Sequence, residues 1–235
     1  MQDKLEGPLT YEECKEALSS FSKDKSAGED GFTAEFYIKF FHILGEDLAR
    51  SLIHAYEKGE LSISQRRGAI TLLPKDESSL LDLTNWRPIT LLNVDYKIAA
   101  KAIATIMEST LPFLIYTDQT GFIKVRYIGE NIRLIFNLLE QTKIDKSSGI
   151  LLSIDFRKCF DTFEWPIMHK ALQTYNFGES LRRFVETFYK NIESTVLNNG
   201  YASKWIKPSR AMRQGCPLFP FLFVLTAELK SNKIR

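Results

Sequence analysis

The segment SIDFRKCFDTFEW, residues 153–165, carries Asp155 out of an apolar run and sets a second aspartate, Asp161, six positions later behind Phe160. A carboxylate at the end of a strand is an oxygen donor of the kind a hard divalent cation takes, although the same residue also serves as a helix N-cap or a solvated loop position. One carboxylate does not complete a metal site, so partners must come from elsewhere in the chain. A second lopsided stretch is GYASKWIKPSRAMRQGCPLF, residues 200–219, which holds Lys204, Lys207, Arg210 and Arg213 without an acid. It fits either a solvated basic face or a phosphate contact.

The elements that must position these residues read as mostly helices with a few strands. Thr10 with Glu13 forms a capping box that starts a helix toward Phe21. Thr33 caps a second helix, with Phe36, Phe40, Ile43 and Leu44 at helical spacing on toward Tyr56, and Gly45 as an interruption. AITLLPK and NWRPITLLN read as two extended segments that pair as an antiparallel ribbon. A helix over 93–111 ends before Pro112, and another spans Glu130 to Lys143. GILLSID, residues 149–155, is continuously apolar apart from Ser153, as suits a central strand buried on both faces. Asp161 with Glu164 reads as a capping box for a helix through Tyr175, which assigns Asp161 a structural role. A helix from Ser180 to Lys190 follows. STVLNNG with YASKWIKP then makes a hairpin turned by Asn-Gly, and an apolar helix begins at Pro217.

The chain has 235 residues, 44% hydrophobic and 26% charged, with a net charge of +2, an ordinary globular composition that does not announce a polyanion partner. Cys14, Cys159 and Cys216 show no C-x-x-C spacing, so neither a disulfide framework nor a zinc site is indicated. No apolar run has the length of a membrane helix, and MQDKLEGPLT lacks the order of a signal peptide. The expectation is an intracellular protein, nuclear or cytoplasmic, with no membrane partner.

Five blocks, in order, resemble the reverse transcriptase domain of non-LTR, LINE-type retrotransposons. KSAGEDGF at 25–32 is similar to the opening block, with Ala27 where proline is usual, and NWRPITLLNVDYKI matches the W-R-P-I block. DQTGFIKVRYIGENIRLI resembles the Q-x-G-F block, with Val125 in place of a glycine. SIDFRKCFDTFEW is like the D-x-x-K-A-F-D segment, with Cys159 for alanine. RAMRQGCPLFPFLF is similar to the R-Q-G-C-P block, with Ala211, Met212 and Phe219 as departures. The resemblance spans nearly the whole chain; group II intron and retron enzymes resemble the same blocks but fit NWRPITLLNVDYKI with RYIGENIRLI less well.

The resemblance implies an α+β right-hand polymerase, with a fingers-like region over 1–148 and an incomplete palm over 149–235. Its chemistry would be RNA-directed DNA synthesis on an RNA template and a DNA primer from deoxynucleoside triphosphates. Two Mg2+ ions, with Mn2+ as a substitute, would stand about 3.5–4 Å apart. Asp155 would be the first bridging carboxylate, and the backbone carbonyl of Phe156 would add an oxygen. Lys75 and Arg87 would clamp the triphosphate, where the reading without the family is surface charge. Phe160 would lie beneath the incoming sugar and exclude a ribose hydroxyl; by itself it reads as a core aromatic. Gln214 would lie against the nucleotide, while Gly215 leaves room for close backbone approach.

Lys25, Gly28, Asp30 and Gly31 read as a structural turn with a template contact. Lys124 and Arg126 read as contacts to the template backbone. The family's F/Y-A-D-D motif, with its further carboxylates, does not occur in the 235 residues, so the expectation is a fragment that is inactive alone. The alternative is a noncatalytic nucleic-acid-binding remnant or the functionless product of a pseudogene. The oligomeric state is open.

Overall fold

The computed structural model describes residues 7–76, 79–156 and 158–234. About half of them are helical, around one small mixed sheet, which makes the architecture α+β. The helices are α1 (Tyr11–Ser19), α2 (Ala34–Lys58), α3 (Ile63–Arg66), α4 (Val94–Leu114), α5 (Gly129–Ile144), α6 (Trp165–Thr174), α7 (Glu179–Tyr189) and α8 (Phe219–Ser231). The strands are β1 (Arg67–Pro74), β2 (Trp86–Leu92), β3 (Glu193–Asn198) and β4 (Tyr201–Ala202), in the order β2-β1-β3-β4.

Local chemistry explains most of these boundaries. Thr10 accepts from the Glu13 N–H at 3.2 Å while the Glu13 carboxylate accepts from the Thr10 N–H at 2.8 Å, so the expected capping box opens α1. Thr33 is the N-cap of α2 without a side-chain bond, and Gly45 does not interrupt that helix but is buried within it. Asn199 and Gly200, with φ of 50° and 81°, supply the two left-handed residues of the β3–β4 hairpin turn. Helix α4 passes through Pro112 instead of stopping before it. Arg126 ties the end of this helix to the loop that follows, donating to the carbonyls of Pro112 in α4, Ile115 at its cap and Tyr116 and Gln119 beyond it at 2.5–3.1 Å.

The ribbon forms as expected, β1 antiparallel to β2 with Leu73 opposite Arg87 and Pro74 opposite Trp86. The sequence reading did not anticipate that β3 would join β1 in parallel, with Gly68 opposite Ser194. The core centres on α4, whose Tyr96, Ile98, Ala99, Ala100, Ala104, Met107 and Leu111 are sealed from solvent. Around it pack Cys14 of α1, Leu52 of α2, Leu172 of α6, Phe188 of α7 and Leu222 and Leu225 of α8 in one cluster. Each fully buried side chain of this size contributes about 1.5–3 kcal/mol of transfer free energy.

The expected central strand at 149–155 is absent. These residues take no regular structure, and Ile150, Leu152 and Ile154 are 96%, 75% and 58% exposed. A strand needs neighbours for its backbone donors and acceptors, and the four described strands pair with one another and leave this segment out. A continuous apolar run records a preference for burial; it does not supply the partner.

Candidate active site

Four segments converge on a cleft of about 430 Å³: the end of β1, strand β2, the turn before α6, and the loop before α8. Lys75 emerges just past β1, its N–H donating to the Asn85 carbonyl at 2.7 Å and its ammonium to the Thr84 carbonyl at 3.0 Å. Arg87 is exposed on β2, across the ribbon from Leu73. The loop is tied to β2 by the Thr90 N–H, which donates to the Gln214 carbonyl at 2.8 Å. Next to that bond Gly215 has φ of +112°, and a Cβ there would lie 2.6 Å from the Thr90 carbonyl oxygen. Only glycine satisfies both constraints.

The turn and the loop are stapled together. The Met212 N–H donates to the Phe160 carbonyl at 2.9 Å, the Ala211 N–H to Phe163 at 2.8 Å, and the Trp165 indole to Ala211 at 2.8 Å. The Phe160 ring packs edge-on against Phe219 and Phe223, with centroids at 4.5 and 5.1 Å, while it also lines the cleft. Asp161 does not cap a helix. Helix α6 starts after Glu164 with no side-chain cap, and the Asp161 carboxylate instead accepts from Gln214 Nε2 at 3.0 Å.

The cleft is electropositive. Lys75, Arg87 and Lys158 line it against the single carboxylate of Asp161 among the described residues. Nearby, the Asp82 carboxyl is held below its ordinary range, chiefly by the Thr84 hydroxyl and N–H, with smaller help from Lys158 and Lys75. Lys158 was not singled out in the sequence, although it occupies the lysine of the D-x-x-K block, and that match was the signal available. Burial raises the Cys159 thiol, with Asp155 and Asp161 adding to the shift, so both carboxylates act on the same short turn.

Asp155 itself is exposed and lies outside the residues that line the cleft. Phe156 follows it with Lys230 of α8 over its ring at 4.4 Å, a cation–π contact that gives Lys230 a partner in a mostly apolar helix. Among the described residues no three His, Cys, Asp or Glu side chains converge where they could hold a metal ion. The donors present around Asp155 therefore do not fit a complete two-metal site.

Two groups of basic residues sort differently from the sequence expectation. Arg126 is committed to the end of α4 and not directed at a partner, while Lys124 is exposed. Arg213 is 5% exposed, donates to the carbonyls of Arg66 and Glu193, and lies over the Tyr96 ring, whereas Lys204, Lys207 and Arg210 are at the surface. The 25–31 turn is structural as read: the Phe32 N–H donates to Asp30 at 3.1 Å, and the Asp30 N–H to Asn93 at the head of α4 at 3.4 Å.

No helix among the described residues is long and apolar enough to cross a membrane. A family profile described as reverse transcriptase (RNA-dependent DNA polymerase) matches residues 73–235. The chain is 38% identical to the transposon TX1 uncharacterized 149 kDa protein of Xenopus laevis over 97% of its own length and 17% of that protein's. It is 25% identical to the retrovirus-related Pol polyprotein from type-1 retrotransposable element R2 of Popillia japonica, over 92% of this chain and 29% of the relative. The R2 protein of Nasonia vitripennis is also 25% identical, over 92% and 20%. The chain thus spans less than a third of the length of these relatives. With the ordered blocks, the cleft and these matches in hand, the chain belongs to the reverse transcriptase (RNA-dependent DNA polymerase) family, in the branch carried by non-LTR retrotransposons.

Proposed function

We propose that these residues form the nucleotide-holding part of an RNA-directed DNA polymerase, with a fingers-like region over 1–148 and part of a palm over 149–235. The observation that carries this is the convergence of Lys75, Arg87, Phe160 and Gln214, drawn from three distant stretches of sequence, on one cleft. Lys75 and Arg87 supply charge-assisted donors for the triphosphate of a deoxynucleotide, with Lys158 as a third cation beside them. Phe160 supplies a flat apolar wall for the sugar, and Gln214 with Gly215 borders the base pair formed on an RNA template and a DNA primer. Magnesium, or manganese in its place, would be held by Asp155 and the Phe156 carbonyl, and further carboxylates would be needed to complete the site.

A metal pair orients and neutralises the reacting oxygens when bound, and a single carboxylate cannot fix two ions at the required separation. The 235-residue chain is therefore expected to bind nucleotide and nucleic acid without extending a primer. Titration of the chain with a fluorescent deoxynucleoside triphosphate tests the cleft. The double variant Lys75→Ala, Arg87→Ala should weaken binding about 10-fold or more, as loss of two charge-assisted contacts implies. Unchanged affinity in that variant would remove the assignment. Primer extension that disappears in Asp155→Ala would overturn the expectation of inactivity.

A further inference from the structure

We propose that Asp161 is a positioning residue that fixes which end of the Gln214 side-chain amide faces the cleft. The two ends of a glutamine amide have opposite chemistry, one donating and one accepting, and a free glutamine presents either. An ionised carboxylate accepts only, so the amide end that meets Asp161 Oδ1 at 3.0 Å must be Nε2. Gln214 Oε1 is thereby turned away from Asp161 as an acceptor. The backbone on both sides is held as well: the Thr90 N–H grips the Gln214 carbonyl, and the Met212 N–H grips the carbonyl of Phe160, one residue before Asp161. These bonds hold the backbone from which each of the two side chains reaches the other.

The placement of Asp161 is otherwise unfavourable. A carboxylate beside Lys75, Arg87 and Lys158 partly cancels the field that would attract a polyanion, and it caps no helix. An orienting role accounts for its presence in the cleft. This role rests on the nucleotide-binding reading of the cleft and gives a sign opposite to that of charge alone. Removing a negative group from a triphosphate site should tighten binding if charge is all that matters. If Asp161 orients Gln214, the same change should weaken it.

The test uses the full chain with a fluorescent deoxynucleoside triphosphate and an RNA–DNA primer-template. Asp161→Ala should weaken binding about 3- to 10-fold, Gln214→Ala by a similar factor, and the double variant no further than either single one. Asp161→Asn keeps a partner for the amide but accepts either end of it, so it should weaken binding about 2-fold, less than Asp161→Ala, and tighter binding in it would overturn the role. In the nucleotide-free chain, the Gln214 side-chain amide resonance, assigned by its loss in Gln214→Ala, should move in Asp161→Ala.

An unmoved resonance overturns the role whether or not nucleotide binds. So does tighter or unchanged binding in Asp161→Ala, or a double variant whose loss is the product of the two single losses. Binding that is undetectable, or insensitive to the Lys75→Ala, Arg87→Ala double variant, overturns the nucleotide reading and this role together. Binding that needs Lys75 and Arg87 but ignores Asp161 overturns this role alone.

Discussion

Helices α4 and α5 are both rich in apolar side chains, yet ten residues of α4 are buried and none of α5 is. In α5, Ile132, Ile135, Phe136 and Leu139 recur at i, i+3, i+4 and i+7, the spacing that marks a core-facing stripe, and they are 55%, 38%, 66% and 46% exposed. The same holds for Ile150 to Ile154 beyond it. Apolar periodicity therefore encodes a demand for a partner, and its satisfaction depends on what else the fold brings alongside. Around α4 that demand is met from both directions in sequence, by α1 and α2 before it and by α6, α7 and α8 after it.

The contrast is most exposed to test in paired truncations. Leu111→Ala in α4 should cost about 2–5 kcal/mol in urea unfolding, because a sealed side chain leaves a cavity. Leu139→Ala in α5 should stay within about 0.5 kcal/mol. Equal losses would break the distinction. A glycine pair sharpens it: Gly215→Ala must place a Cβ on the Thr90 carbonyl at φ of +112° and should cost about 1–3 kcal/mol, as backbone strain of that kind does. Gly121→Ala, with open space around it, should leave the unfolding curve where it is.

Where the packed and unpacked regions meet, Arg126→Ala should cost about 1–2 kcal/mol by removing four side-chain bonds that tie the end of α4 to the loop after it, while Lys124→Ala should do nothing measurable. The smallest expected effect is a pH slope. Burial pushes the Cys14 thiol up to about 12 from its ordinary 9.0, so the folded chain keeps a proton that the unfolded chain releases. That contribution is whole below pH 9.0 and is lost as pH rises toward about 12, a decline of about 1 kcal/mol between pH 8 and 10. Cys14→Ala should flatten the decline; an identical slope in the two proteins would show that the thiol is not sealed.

Much of this arrangement was legible in the residues. The Thr10–Glu13 box, the ribbon around Lys75 and Arg87, the Asn-Gly hairpin and the length of α5 all follow from local chemistry, and local chemistry is what a sequence displays. Besides the parallel pairing of β3 with β1, three features were not legible, and all depend on distant neighbours. The apolar run at 149–155 reads as a buried strand because burial cannot be told from the wish for it. Arg213 sits in a basic stretch yet is buried, since its partners are carbonyls of residues far away in the sequence. Asp161 lies at the spacing of a capping box, but Gln214 reaches it first. The ordered motifs supplied Lys75, Arg87, Phe160 and Gln214 from three places in the chain, and the fold brings these four to the lining of one cleft.

The parallel pairing of β1 with β3 also bears on how the chain is made. Arg67 and Glu193, joined by an ion pair at 3.0 Å, are 126 residues apart in sequence. At ribosomal rates of about 5–20 residues per second, β1 emerges roughly 6–25 s before its second neighbour exists. The β1–β2 ribbon and the packing of α1 and α2 on α4 need only shorter-range contacts and can form during that interval, whereas the third strand must wait for α7 to be finished. Until then β1 shows an open edge to the crowded tunnel exit, which makes the nascent chain, more than the finished one, the form most exposed to mispairing.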